Sequence, residues 1–476
     1  MSEDMIKGKE IPAKADEQLS QSSTETSGIN KITKPICFLI FGIGSLLAWN
    51  VILSDIDFFD YFLKDLGLPS PTLIFPFLNF ALNITFQFII VCTKTKFSYL
   101  SQLKLSLSLL MLAMILLPLV VLVFSPKTGY FLSCTIILLQ GFVSAVCSSS
   151  FFGLVSYFKT KYIVMLTTGQ GVSGILMNVI KYILLLTVPR PSEGDSEYES
   201  KERKAYIIEA IIYFSIAFFI LLGCLMCLLV SYRNKDFIKD LRGTDEMEFI
   251  MTSIQDMKTA DEMEMTMKSN RRELELDVIQ QQPLLKENEL QQKETKNDNG
   301  DNSYSFISLI KTLIEVNLLI MASYAVTFIV FPSALLRSSL FGMSMGWKFN
   351  TLTTLFNVFD TLGRKIISSF QPTKKALYIT TILRAVLVVF IPLNYFLEIT
   401  KVNSAFVSVF LIFNSVFLGV TNGICTSLAY AIAPSLVEDK LKGKSGASVS
   451  FFNILGIFMG TCLAFGMTKI IDAISA

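Results

Sequence analysis

The chain has 476 residues, 52% of them hydrophobic and only 17% charged, with a mean hydropathy of +0.55 and a formal net charge of +2. A soluble domain carries about a quarter charged residues, so a water-soluble globular protein is excluded, and so small a net charge gives no footing for a nucleic acid. Histidine is absent, which removes the commonest metal ligand and acid–base catalyst; no metal, no cofactor and no enzymatic activity are expected.

Residues 1–35 are polar and contain no apolar run of the kind a signal peptide needs. They are expected to form a disordered cytoplasmic tail. Eleven apolar segments then follow, at 36–54, 71–93, 104–124, 130–158, 162–188, 206–232, 305–333, 346–371, 376–397, 404–433 and 445–472. Most are near or above the roughly 20 residues that cross a bilayer as helix. Their short connections predict a compact bundle. Between spans six and seven, residues 233–304 are rich in Glu, Asp, Lys and Gln and poor in aromatics, a composition that cannot bury enough apolar surface to fold alone. The expected architecture is therefore an all-α membrane protein. Eleven transmembrane helices form a six-helix bundle over 36–232 and a five-helix bundle over 305–476, with a disordered cytoplasmic loop between them. A six-plus-five division with a long central loop is a major-facilitator-like arrangement with the last helix missing.

Lysines in short loops set the orientation. With a cytoplasmic N-terminus, the inner face holds Lys31, Lys34, Lys94, Lys96, Lys159, Lys161, Lys374, Lys375, Lys440, Lys442 and Lys444. The first outer loop is acidic, with Asp55, Asp57, Asp60 and Asp65 against Lys64. The exception is the fifth connection, where Arg190, Lys201, Arg203 and Lys204 lie outside. The balance favours N-terminus in and C-terminus out. The one N-x-[ST] sequence, Asn83-Ile84-Thr85, falls inside span two, so no glycan is expected there. All eight cysteines lie in apolar segments and read as small hydrophobes; the Cys224-x-x-Cys227 pair reads as helix packing.

A charge at the centre of a span costs about 2.5–3.5 kcal/mol on insertion scales, so it needs a partner or a purpose. Span eight reads FNVFDTLGR over residues 356–364. Asn357, Asp360 and Arg364 are three and four apart and share one helix face. The stripe is either the polar wall of a substrate cavity or an ion pair that fixes helix packing. Lys311 and Glu315 are also four apart and are expected to pair at the cytoplasmic edge. Lys181 and Arg384 lie off centre and are expected to snorkel. In span one, Gly42 and Gly44 permit close helix approach, whereas Trp49, near the outer end, reads from position alone as an interfacial anchor. Spans four and five carry Ser148–Ser150 and the buried amide Gln170, and span ten carries Asn422.

Taken together, several segments resemble the equilibrative nucleoside transporter family: GIGSLLAWN (42–50) in span one, FFGL (151–154) and GQGVSG (169–174) in spans four and five, TFIVFP (327–332), FNVFDTLGR (356–364), and TNG (421–423) before a glycine-rich span eleven. Their order and spacing on an eleven-span frame cover most of residues 36–472. The resemblance implies facilitated transport of nucleosides, with nucleobases as further substrates, by alternating access between two halves. It also implies substrate contacts from Asp360 and Arg364, a cavity position for Trp49, and an aromatic base contact at Tyr324. Asn50, Gln170 and Asn357 match polar positions with a more structural part. Many members carry a base-reading Gln where gap-free alignment places Ser148, so base preference is open. Asn79 and Asn83 share a face of span two and are candidates for the cavity wall. The expected partners are a nucleoside or nucleobase and the lipid bilayer, with the chain a plasma-membrane monomer. A proton-coupled symporter using Asp360, or a facilitator of another polar solute such as a sugar, are the alternatives.

Overall fold

The computed structural model describes residues 13–63, 66–93, 97–188, 197–234, 237–238, 241, 302–331, 339–343, 345–387 and 404–475. Among them the regular structure is helix throughout. The helices are α1 (Ala13–Ser54), α2 (Ile56–Leu63), α3 (Pro71–Cys92), α4 (Tyr99–Val123), α5 (Pro126–Val155) and α6 (Thr160–Thr187). Then come α7 (Tyr198–Arg233), α8 (Asn302–Val330), α9 (Met345–Ile366), α10 (Lys374–Ala385), α11 (Ser404–Ile432) and α12 (Lys442–Ser475). The helix starts follow local chemistry. Ser98 caps α4 by accepting from the Ser101 amide, and Thr373 caps α10 by accepting from Ala376.

Nine of the described helices are long and apolar enough to cross a bilayer. The helices α9 and α10 stand where spans eight and nine were predicted; α9 carries four charged residues, and α10 is described over only 12 residues. The helix α1 begins at Ala13, inside the stretch expected to be a disordered tail. Once a membrane helix is nucleated, adding residues to its end costs little. Most of the central loop, and with it Lys64, Asp65, Lys94, Lys96 and Arg190, lies outside the described residues.

The perimeter exposes large apolar side chains, among them Leu105, Leu186, Phe219 and Ile382. That is the inverse of a soluble protein and suits hydrocarbon as solvent; the chain is an integral membrane protein. Inside, α1 packs on α6 and α7, α5 on α3 and α4, α8 on α12, and α9 on α11. Helices from either side of the central loop also meet, α9 on α6 and α12 on α3 and α5. These contacts enclose the cavity described below.

Two glycine crossings set that geometry. A Cβ on Gly42 would collide with the Leu166 carbonyl and the Gly169 backbone, and one on Gly169 with the Leu39 carbonyl. The helices α1 and α6 therefore touch backbone to backbone, as the glycines of span one suggested. At the α9–α11 crossing, a Cβ on Gly423 would collide with the Asp360 carbonyl and the Arg364 amide. The neighbouring residues Gln170 and Asn422 are thereby brought into the centre.

Three expectations for charged side chains are corrected. Lys181 does not snorkel: it is buried, and its Nζ lies 2.6 Å from Asp55, 3.2 Å from Asp57 and 3.4 Å from Glu209. Arg384 is buried too, with no exposed surface. Snorkelling needs a path to water along lipid, and both side chains point into the bundle. Glu315 pairs not with Lys311 but with Lys374 at 2.9 Å, because α10 brings a cation to the same edge.

Candidate functional site

A cavity of about 430 Å³ lies between α1, α3, α5 and α6 on one side and α8, α9, α11 and α12 on the other. All eleven residues singled out in the sequence line it: Trp49, Asn50, Asn79, Asn83, Ser148, Gln170, Tyr324, Asn357, Asp360, Arg364 and Asn422. The position-based reading of Trp49 as an interfacial anchor gives way. Its ring packs on Phe80 at 5.1 Å and forms part of the wall.

The cavity runs from mid-bundle to the end where α1 stops and α3 starts, reaching Ser54, Ser70 and Thr72. At the opposite end its floor is shut. Phe152 of α5 and Tyr430 of α11 stack with ring centroids 3.7 Å apart and planes 11° apart. Beside them Thr167 and Ser427 hydroxyls meet at 3.0 Å.

The polar centre is built on α9. Asp360 and Arg364 are almost fully buried yet line the cavity. Arg364 Nε donates to Asp360 Oδ2 at 2.7 Å. Arg364 Nη1 donates to the Thr167 carbonyl at 2.8 Å and to Gln170 Oε1 at 3.1 Å. Gln170 in turn donates to Ser45 Oγ at 3.2 Å. Asn422 Nδ2 donates to Asp360 Oδ1 at 2.7 Å. Each carboxylate oxygen thus holds one partner and keeps capacity for another. Arg364 Nη2 has no hydrogen-bond partner among the described residues.

The other predicted residues are held more locally. Asn50 donates to Ser173 Oγ at 3.1 Å, Asn83 accepts from Gln87 at 2.7 Å, and the Tyr324 hydroxyl meets Thr426 Oγ1 at 2.8 Å. Asn357 packs against Gly174, where a Cβ would meet its amide. Ser148 is half-buried, on the same face of α5 as Ser144 and Phe152, which also line the cavity. Three buried amide atoms in the wall, Asn79 Oδ1, Asn178 Nδ2 and Asn453 Oδ1, have no partner among the described residues.

Sequence reasoning missed the aromatic walls: Phe80, Phe152, Phe328, Phe331, Phe356 and Tyr430 all line the cavity. Among 40 phenylalanines, nothing in an apolar span marks the ones that face inward. It also missed Asn178 and Asn453, whose signal, a lone amide in an apolar helix, was present. No group of three or more His, Cys, Asp or Glu side chains suited to a metal occurs among the described residues.

A buried ion pair in a cavity lined by aromatic rings and amides, within a helical membrane bundle, is the layout of a solute carrier. The family model described as nucleoside transporter matches residues 133–469. The chain belongs to the nucleoside transporter family. Within it, the chain is 24% identical over 437 residues to equilibrative nucleotide transporter 7 of Arabidopsis thaliana, covering 90% of this chain and 92% of that one. It is 23% identical over 344 residues to equilibrative nucleoside transporter 1 of Homo sapiens, covering 69% and 67%. Solved major facilitator superfamily transporters share the fold. FucP in the outward conformation superposes with a TM-score of 0.53 at 15% identity, over 93% of this chain and 92% of that one. The proton:xylose symporter XylE superposes at 0.55 and 11% identity, over 92% and 89%. As a member of this family the chain is a transporter, with the major facilitator fold that the sequence led us to expect.

Proposed function

We propose that this chain carries nucleosides across the membrane by facilitated diffusion, with the central cavity as the substrate site and access alternating between its two ends. The observation that carries this is the Asp360–Arg364 pair, buried against α6 and α11 yet facing a cavity walled by aromatics. A nucleoside has a flat base and a ribose bearing hydroxyl donors. Trp49, Tyr324 and the phenylalanine walls offer surfaces for the base. Asp360 accepts from a ribose O–H or a base N–H, and Arg364 Nη2 donates to a ribose oxygen. Substrate exchanges its hydration for these contacts at small net gain, as a carrier that must also release requires.

The floor formed by Phe152 and Tyr430 is the inner closure, and the end at Ser70 and Thr72 faces outside. The basic residues Lys159, Lys161, Lys374, Lys440 and Lys442 support this orientation, because all sit at the end of the closed floor. In this reading the chain is a plasma-membrane monomer with a cytoplasmic N-terminus, two bundles of six and five helices, and an external C-terminus. The test is uptake of labelled adenosine, uridine and hypoxanthine in transport-deficient cells. Saturable nucleoside uptake that needs no proton gradient is expected; surface-expressed protein that moves none of the three overturns the reading.

Base preference is assigned to Ser148. One short hydroxyl replaces an amide able to donate and accept along a base edge. Ser148→Gln is expected to change the ranking of adenosine, inosine and uridine as inhibitors. One net hydrogen bond is worth about 0.5–1.5 kcal/mol, or roughly two- to tenfold in relative affinity. Ribose dependence, set by Asp360 and Arg364, stays as it was. Inhibition constants that move together for all three nucleosides would show that Ser148 does not face the base.

A further inference from the structure

The guanidinium of Arg384, on α10, has no exposed surface and makes no salt bridge among the described residues. Its partners are neutral. Nη1 donates to the Leu418 carbonyl at 3.2 Å and to Thr421 Oγ1 at 2.8 Å; Nη2 donates to the Ser323 carbonyl at 3.0 Å, to Thr327 Oγ1, and to Asn422 Oδ1 at 3.3 Å. Its Nε has no partner among the described residues. A cation so placed is costly unless a counter-charge is near, and among the described residues none touches it.

The counter-charge is one residue away. Asn422 accepts at Oδ1 from Arg384 and Thr327, and donates from Nδ2 to Asp360 Oδ1 at 2.7 Å. Chemistry alone fixes this amide orientation. Reversed, it would turn N–H groups toward a guanidinium, which has no acceptor, and an oxygen toward a carboxylate, which has no donor. The two ends of Asn422 thus read two charges, and Asp360 is the shared anion of two guanidiniums: Arg364 by direct contact, Arg384 through the amide.

We propose that Arg384 is a positioning residue for transport: it locks the Asn422 amide, which in turn holds Asp360 Oδ1 and leaves the remaining lone pairs of that carboxylate aimed at the cavity. Arg384 does not line the cavity and touches no substrate. Without it, the Asn422 oxygen loses its charged anchor, and the amide is free to drift from Asp360 Oδ1 and let the carboxylate move out of place. The inference rests on the reading of Asp360 as a substrate contact.

The test is adenosine uptake, with KM and Vmax measured separately and normalised to surface protein, in Arg384→Gln, Arg384→Lys, Asn422→Ala, Thr421→Val and Asp360→Asn. Arg384→Gln is expected to raise KM about tenfold, the upper end of what one hydrogen-bond contact is worth. Arg384→Lys keeps the cation and a donor for Asn422, and should return KM to within about threefold of the parent. Adding Asn422→Ala to Arg384→Gln should raise KM no further, because both break one chain of contacts. Thr421→Val removes an Arg384 bond outside that chain and should leave KM unchanged; a merely structural arginine would lose equally from either change. Should Arg384→Gln fail to reach the surface, the Lys rescue and the Asn422–Thr421 contrast decide. An unchanged KM in Arg384→Gln, or equal KM changes in Thr421→Val and Asn422→Ala, overturns the relay. A parental KM in Asp360→Asn instead overturns the substrate role of Asp360, and so the site on which the relay depends.

Discussion

Replacing either member of the α9 pair by alanine is expected to abolish nucleoside uptake, but the two variants should differ in how much protein reaches the surface. Arg364→Ala leaves Asp360 with Asn422 at 2.7 Å and, through it, with Arg384. Asp360→Ala leaves two guanidiniums buried with no carboxylate between them. Breaking a buried pair by removing one partner costs about 3–5 kcal/mol, most of it the penalty of the uncompensated charge. The aspartate variant should therefore show the lower surface level. Uptake per surface molecule is the measurement that separates function from folding. Arg364→Lys should not rescue, since an ammonium cannot serve Asp360, Thr167, Gln170 and a substrate at once. Parental uptake per molecule in both alanine variants would remove the pair from the substrate site.

The pair was legible because an apolar helix gives polar residues nowhere to hide. A carboxylate, a guanidinium and an amide at helical spacing on one face cannot all point to lipid. The same logic brought Asn79, Asn83, Gln170 and Asn422 to attention, and all line the cavity. The positions of most long helices were legible for a related reason, since short polar connections interrupt long apolar runs; the start of α1 at Ala13 and the short α2 were not. Arg384 was misread as off centre, although it lies near the middle of 376–397. Lys181 was misread because it is a single charge away from the centre of its predicted span. There a long side chain reaches water at lipid or turns inward equally well, and the deciding fact is which partners stand behind it. For Lys181 those partners come from the segment that follows α1 and from α7, more than a hundred residues upstream and 28 residues downstream. Glu315 went astray through a cross-helix cation that outcompetes the neighbour four residues away. The Phe152–Tyr430 floor was invisible, because its two rings are 278 positions apart and chemically no different from those facing lipid.

Lys181→Met should be the most destabilising single substitution outside the cavity. Its ammonium lies within 3.4 Å of three carboxylates. Asp55 and Glu209 are buried, Asp57 is partly open, and one oxygen of Asp55 already lacks a hydrogen-bond partner among the described residues. Methionine fills a similar volume and removes the charge, leaving the acids to face one another; by the same reasoning the cost is about 3–5 kcal/mol. Low surface expression and a lower Tm in detergent are expected at neutral pH. The deficit should shrink on acidification, and the sign follows from Asp55, just beyond the end of α1. Burial pushes its carboxyl up from 3.8 to about 6, against the opposing pull of Lys181. A folded state that holds its proton more tightly than the unfolded chain gains stability as the pH falls through that range, and loses it as the pH rises. Removing Lys181 removes the pull in the other direction, so the variant gains more from acid than the parent does. The difference in Tm between parent and variant should be smaller at pH 5.5 than at pH 7.5. Asp55→Asn added to Lys181→Met should recover part of the loss at pH 7.5, because it removes the buried charge that acid neutralises. A Tm deficit that is the same at both pH values, and that the double variant does not reduce, would mean that Lys181 supports the fold by packing rather than by charge.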